Sequence, residues 1–209
     1  MNILIVGATR GIGRQVLEHA LASGENVTAL VRDPQRLATQ HERLRVVKGD
    51  ILDANSVAVA MDGQNAVCCS IGVKAPWPII TVFSEGTKNL LRAMKQAGVK
   101  RLICVTGIGA GDSRGHGGFF YDRVFYPLVA RPIYADKDRQ ESLIRASDVD
   151  WTIVRPGFLT NGPMTRSYRA LTDLTGVTAG WISRADVAHF ILTELRSNQY
   201  LRQAPLLTS

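Results

Sequence analysis

The sequence predicts a doubly wound α/β fold, a parallel sheet with helices on both faces, in a single domain spanning 1–209. Three observations predict it. Short apolar runs without polar alternation recur along the chain, as strands buried on both faces require. Segments with helical apolar periodicity separate them. A glycine-rich turn joins the first such run to the first such segment.

The elements follow in order. Ile3 to Val6 reads as the first strand, and about Ile12 to Ala22 as a helix with Ile12, Val16, Leu17 and Ala20 on one face. Val27 to Val31 is a second buried strand. Asp33 and Pro34 read as a cap and first-turn proline opening a short helix. Leu44 to Val47 is a third strand, Asp53 caps a helix running through Met61, and Ala66 to Ile71 is a fourth strand. Thr81 to Ala97 is strongly amphipathic and stops at Gly98, a suitable C-cap. Leu102 to Thr106, Tyr134 to Ala146, Trp151 to Val154 and Arg184 to Leu195 supply strand, helix, strand and helix. The segment 107–133 is the irregular one, rich in glycine (GIGAGDSRGHGG) and then in aromatics (FFYDRVFY). A long connection at a strand's carboxyl end suits a substrate loop or lid, or a surface insertion.

At 209 residues the chain can bury a substantial core, and its 45% apolar content is ordinary for a globular protein. No apolar run reaches the roughly 18 residues of a membrane span, and the N-terminus enters a strand without a signal-peptide pattern. The expectation is a cytoplasmic protein with no membrane partner. Cys68, Cys69 and Cys104 lie in predicted buried strands and read as packing thiols. His19, His41, His116 and His189 show no ligand spacing, so no metal is expected. The net charge of +7 suits nucleic acid or a phosphate-bearing cofactor. The arginines are dispersed and form no basic face interleaved with aromatics, so no nucleic-acid partner is expected.

The opening NILIVGATRGIGRQV suits a dinucleotide. Gly7 permits a tight turn, Gly11 lets backbone approach a pyrophosphate, and Gly13 lets the helix pack close to the strand. The free N–H groups of the helix N-terminus favour phosphate. An NAD site usually carries a carboxylate on the ribose at the end of the second strand. Here the run is Val31-Arg32-Asp33, and Asp33 is spoken for as a cap. Arg32, with Arg10 and Arg36, matches a 2′-phosphate instead, which favours NADP(H) over NAD(H).

These residues belong to a wider pattern. GATRGIG at 7–13, LVRDPQRL at 30–37, VVKGDILD at 46–53, SEGTKNLLRAMKQAGVKRLICVT at 84–106, DWTIVRPG at 150–157 and ISRADVAHFIL at 182–192 run through most of the chain. Together they resemble the atypical branch of the short-chain dehydrogenase/reductase superfamily, in particular the flavin reductase/biliverdin-IXβ reductase proteins and their NmrA-like relatives. The resemblance implies a Rossmann-type NAD(P) site along the strand ends. Gly7, Thr9, Arg10, Gly11, Ile12 and Gly13 would form the loop, and Asp50 and Ile51 would flank the adenine. Ser70, Ile71 and Gly72 would lie beside the ribose. Thr106, Gly107, Pro156, Gly157 and Phe158 would lie near the nicotinamide. It also suggests a monomer. Arg10 stands where many members carry glycine, and Gly107 where a serine often follows the threonine.

A tyrosine with a lysine four residues later serves as the acid in the ordinary dehydrogenases of the superfamily. No tyrosine here has that partner. Tyr134 comes nearest, with Lys137 at i+3, still on one helix face. Thr106, Tyr134 and Lys137 are therefore the catalytic candidates, with Tyr134 as packing and Lys137 as a cofactor contact the alternative. His116 is a second candidate proton source. Phe119, Phe120, Tyr121, Phe125 and Tyr126 either stack a planar ring or form the core of a loop helix. A flavin or linear tetrapyrrole needs mainly proximity and orientation over the nicotinamide, with a proton from solvent. The expected activity is an NADPH-dependent reductase acting on such a planar conjugated acceptor. The alternative is an NADP(H)-binding sensor of NmrA-like type.

Overall fold

The structure, a computed structural model, describes residues 1–73 and 80–209. Its strands are β1 (Asn2–Val6), β2 (Asn26–Val31), β3 (Leu44–Lys48), β4 (Ala66–Cys69), β5 (Arg101–Val105), β6 (Asp150–Pro156), β7 (Phe158–Thr160), β8 (Arg169–Leu171), β9 (Trp181–Ser183) and β10 (Leu206–Thr208). Its α-helices are α1 (Gly11–Ala22), α2 (Ala54–Met61), α3 (Val82–Ala97), α4 (Arg131–Arg145) and α5 (Arg184–Ser197). An eight-stranded sheet runs in the order β3-β2-β1-β4-β5-β6-β10-β8, and a two-stranded sheet pairs β7 with β9.

All pairings in the large sheet are parallel except β10 with β8. Helices cover both faces. On one, Ile3, Ile5, Val16, Leu17, Val187 and Ile191 pack β1 against α1 and α5. On the other, Leu4, Val57, Met61, Leu90, Met94 and Ile144 pack the sheet against α2, α3 and α4. Successive β1 residues point to opposite faces, so both faces need apolar residues, as the unalternated run requires. The order reverses between β1 and β4, which opens a crevice at the carboxyl ends of the strands.

The caps behave as expected near the N-terminus. Asp33 accepts from the Gln35 N–H, Asp53 accepts from the N–H groups of Asn55 and Ser56, and Gly98 ends α3 at φ +70°. The cap of α3 comes from another helix. Thr81 offers no side-chain bond, and buried Asp136 of α4 accepts from the Phe83 N–H (2.9 Å), the Ser84 N–H (3.3 Å) and the Ser84 hydroxyl (2.5 Å).

β3, expected as the third strand, is an edge strand with one neighbour, and Arg45, Val46 and Lys48 are exposed. Three expectations are corrected. The fourth strand ends at Cys69, because Ser70 turns under the glycine loop. The sheet is mixed, since β8 returns antiparallel, and β7, β8, β9 and β10 are three-residue strands too short to carry a period. Finally, 107–133 is not one irregular loop. Tyr121–Ala130 forms a π-helix that runs directly into α4. Pro127 inside it lacks a donor N–H, and the coil keeps the wider spacing rather than a tight α-ladder.

Candidate active site

The crevice has two ends. The first is a cradle at the β1–α1 turn. Gly7 has φ +95°, and a Cβ there would land on the Ser70 carbonyl oxygen of the adjoining strand end. A Cβ on Gly13 would land on the Gly7 carbonyl, so α1 crosses β1 at a separation only glycine permits. Gly11 differs: at φ +60° its nearest neighbour would be the Arg184 Nε at 3.9 Å, and the space before it is otherwise open. Arg10 occupies the N-cap without a side-chain cap bond, and the first turn of α1 holds no acid. Among the described residues nothing pairs the N–H groups of Gly11, Ile12 and Gly13 in this first turn, which stand at the positive end of the helix dipole, a fit for a pyrophosphate.

The flanks of the cradle are basic. Arg32 and Arg36 are exposed beyond β2. Asp33 accepts from the Gln35 N–H through one carboxylate oxygen, as a cap. Arg10 turns across the crevice and donates to the Gly72 carbonyl at 2.9 Å, tying the glycine loop to the end of β4. Asp50 accepts from the Leu52 N–H, and buried Ile51 lies under Gly86 of α3. Thr9, Ile12, Ser70 and Ile71 border the same turn; Ile12 is buried in the α1 core and the Ser70 N–H donates to the Val6 carbonyl.

Sequence reasoning missed Arg184. This first residue of α5 donates to the Asn161 side-chain oxygen at 2.8 Å and reaches toward the Gly11 space. With Gly11, Arg14, Gln15 and Gly162 it borders a cleft of about 220 Å³. Its position at the start of a late helix was visible; its approach to the first loop was not.

The second end gathers at the tips of β5 and β6. Gly107 has φ +135°, and a Cβ there would stand 3.1 Å from the Tyr134 hydroxyl and 3.9 Å from the Lys137 Nζ. Tyr126 and Tyr134 also lie against Gly109. Around them the rings form a chain. Tyr134 meets Tyr126 at 5.6 Å, Tyr126 meets Tyr121 at 6.5 Å, Tyr121 meets Phe158 at 5.3 Å, and Phe158 meets Trp181 at 5.3 Å. Trp181 is 63% exposed and was not among the expected residues. Pro156 ends β6, and Gly157 donates to the Leu207 carbonyl at 2.9 Å, which fixes Phe158 in place.

The structure places the catalytic candidates as follows. The Thr106 hydroxyl donates to Glu141 at 2.7 Å and is buried. Lys137 donates to the Thr106 carbonyl and stands over the Phe83 ring at 5.2 Å. Burial pulls its pKa down to about 8. Tyr134 is the opposite of an activated acid: burial, with Tyr121 beside it, pushes its phenol well above the usual value. His116 Nδ1 meets the Val177 carbonyl at 2.8 Å, a bond that pins the loop. Phe119 and Phe120 point outward, 81% and 72% exposed, whereas Tyr121 and Tyr126 face the strand tips. Cys68, Cys69 and Cys104 are all buried.

Beneath this end lies a charged network that the sequence did not reveal. Arg155, fully buried, donates to Glu141 at 3.0 and 2.5 Å and pairs with Asp112 at 2.5 Å. Burial opposes the guanidinium charge, and Glu141 and Asp112 more than offset it, holding its pKa above the ordinary value. The network joins β6, α4, the Thr106 tip and the loop after β5. Among the described residues no group of His, Cys, Asp and Glu side chains comes together as a metal site. No described helix is long and apolar enough to cross a membrane.

Comparison with known proteins gives the same site a context. Residues 7–198 match a family described as NAD(P)H-binding. An uncharacterised chloroplastic protein of Arabidopsis thaliana is 30% identical over 177 residues, which is 78% of this chain and 61% of that relative. The chain thus spans less than two thirds of that protein's length. The structure of ChuY from Escherichia coli O157:H7, an anaerobilin reductase, superposes with a TM-score of 0.85 at 25% identity, covering 100% of this chain and 97% of that one. A short-chain dehydrogenase/reductase of Veillonella parvula solved with NADP has a TM-score of 0.83 at 19% identity, covering 100% and 94%, and shares the fold.

Proposed function

The chain belongs to the NAD(P)H-binding family, and from that premise we propose that it is an NADPH-dependent reductase of a planar conjugated acceptor. A free flavin or a linear tetrapyrrole of the biliverdin or anaerobilin kind fits. The observation that carries this reading is the chain of rings Tyr134, Tyr126, Tyr121, Phe158 and Trp181 at the tips of β5 and β6. It lies at the same carboxyl edge of the sheet as the glycine cradle. Flat aromatic faces there suit a flat acceptor better than a sugar or a small alcohol. The likeness to ChuY supports the same class.

In this reading the first turn of α1 binds the pyrophosphate, with Arg184 closing its side. Arg32, Arg36 and Arg10 hold a 2′-phosphate, which selects NADPH. Asp50 and Ile51 border the adenine, and Ser70, Ile71 and Gly72 the ribose. The chemistry supplied when the nicotinamide is bound is a hydride equivalent. Thr106, Gly107, Pro156 and Gly157 shape the backbone floor at that end, and Phe158 with the tyrosines orients the acceptor ring and excludes water. Lys137, whose ammonium loses its proton near pH 8, holds a proton at this end below that pH. Thr106 and Tyr134 keep Lys137 in place. The whole chain acts as one domain, in the cytoplasm.

The test is NADPH oxidation by the purified protein with FMN, riboflavin and biliverdin offered in parallel, and NADH as control. Turnover with NADPH well above NADH is expected. Tight NADPH binding without turnover of any acceptor would replace the reductase by the sensor reading.

A further inference from the structure

The aromatic segment has a second face that the site does not use. Phe119, Phe120, Val124, Phe125, Leu128 and Val129 are 81%, 72%, 37%, 44%, 77% and 42% exposed. The π-helix advances about 80° per residue, so residues four and five apart share a side. On that spacing these six fall on one contiguous stripe, while Tyr121, Tyr126 and Ala130 form a separate, inward one. Scattered exposed apolar residues need no explanation, but a stripe of six, two just before the π-helix and four on it, does.

We propose that this face is the interface of a two-fold homodimer, in which the Tyr121–Ala130 helices of two copies pack against each other. The area argues for a second copy. On ordinary side-chain areas the six residues expose about 600 Å² per copy, close to the roughly 800 Å² each partner contributes to a standard stable interface. Composition argues the same way. The stripe is aromatic and aliphatic with no charge at its centre, as interface cores are. Arg123 borders the stripe, whereas Asp122 falls on the opposite side of the helix and takes no part in it. An anionic lipid surface is the other candidate and fits less well. The helix carries one acid and one base, Asp122 and Arg123, rather than a cluster of basic residues, and its inward side packs on protein instead of presenting a charged face. The dimer takes the place of the monomer that the resemblance suggests, and it does not depend on which acceptor the chain reduces.

Sedimentation equilibrium across a hundredfold concentration range reads the mass directly. The expected result is association to twice 22.8 kDa. The double variant Phe120→Ser, Leu128→Ser should raise the dimer dissociation constant at least tenfold while leaving the circular dichroism spectrum and NADPH binding unchanged. Leu128→Cys gives a second reading that needs no loss of structure. The native cysteines are buried, so oxidation should cross-link the variant only through the new thiol, and faster than a Lys88→Cys control on exposed α3 surface. A monomer at every concentration overturns the proposal, as does a dimer indifferent to the double variant. If the monomer instead floats with phosphatidylglycerol vesicles and the double variant does not, the face serves lipid and the dimer is wrong.

Discussion

The two ends of the crevice are built by different means. The cradle is made of backbone: Gly7, Gly11 and Gly13 lie within seven consecutive residues, and what matters is where carbonyls and N–H groups stand. The acceptor end is made of side chains from 106–109, 121–137, 158 and 181, brought together only by the sheet. The first end is rigid because backbone atoms stand where a side chain on Gly7 or Gly13 would go. The second is held by packing and by a buried charge network, so it tolerates change in identity more than in support.

The sharpest way to break that contrast is at Gly13. Any side chain at this position has to displace the Gly7 carbonyl, a backbone atom, so Gly13→Val should weaken NADPH binding by about a hundredfold or more in a fluorescence titration. Gly11→Ala meets open space, so it carries only the roughly 1–2 kcal/mol strain of a side chain at φ +60° and should cost less than Gly13→Val. Equal losses would mean the cradle is not limited by close approach. The matching break at the other end is Arg155→Met, which leaves buried Glu141 with the Thr106 hydroxyl and, at 3.8 Å, only the half-exposed Arg145. About 3–5 kcal/mol of stability should be lost. For a domain of this size that lowers the melting temperature by about 10 °C. Cofactor affinity measured below that temperature should change little.

The same contrast explains what the sequence could tell. Strands β1, β2 and β5, the helices α1 and α3 and the caps Asp33, Asp53 and Gly98 depend on neighbours a few residues away, and the periodicity located them. Asp136 capping α3 from α4 spans 53 residues to Phe83, and no local signal marks it. The Arg155–Glu141–Thr106 network hides an arginine inside an apolar strand pattern. Trp181 and Arg184 join the site through a late segment whose strands are too short to show alternation. Aromatics at 119–126 were visible, but their division into an inward and an outward side depends on π rather than α spacing.

Smaller effects sharpen cofactor choice. Arg32→Ala should raise KM for NADPH roughly tenfold, the loss expected of one charge-assisted phosphate contact, and leave KM for NADH unchanged. Arg10→Ala should do the same less strongly, because Arg10 already donates to Gly72. Equal changes for both cofactors would remove the 2′-phosphate assignment. Lys137 gives a pH signature. Its folded pKa lies below the ordinary lysine value, so the ammonium is intact below about pH 8 and lost above it. Turnover should fall as pH rises through that point, and Lys137→Met should be lower at neutral pH and flat across the same window.

The smallest expected effect separates a shared helix face from a shared function. Tyr134 and Lys137 sit at i and i+3, yet the lysine donates to the Thr106 carbonyl and stands 5.7 Å from the centre of the Tyr134 ring. A lysine so placed does not draw down the phenol, and burial pushes that phenol up. Tyr134→Phe keeps the ring contacts with Tyr126 and removes only the hydroxyl. It should lower kcat less than about fivefold, against the roughly 10²–10⁴ expected when a general acid is removed. A loss in that larger range, with KM unchanged, would make Tyr134 the proton donor despite its burial. The acceptor end would then be a variant of the tyrosine–lysine arrangement rather than a stacking platform.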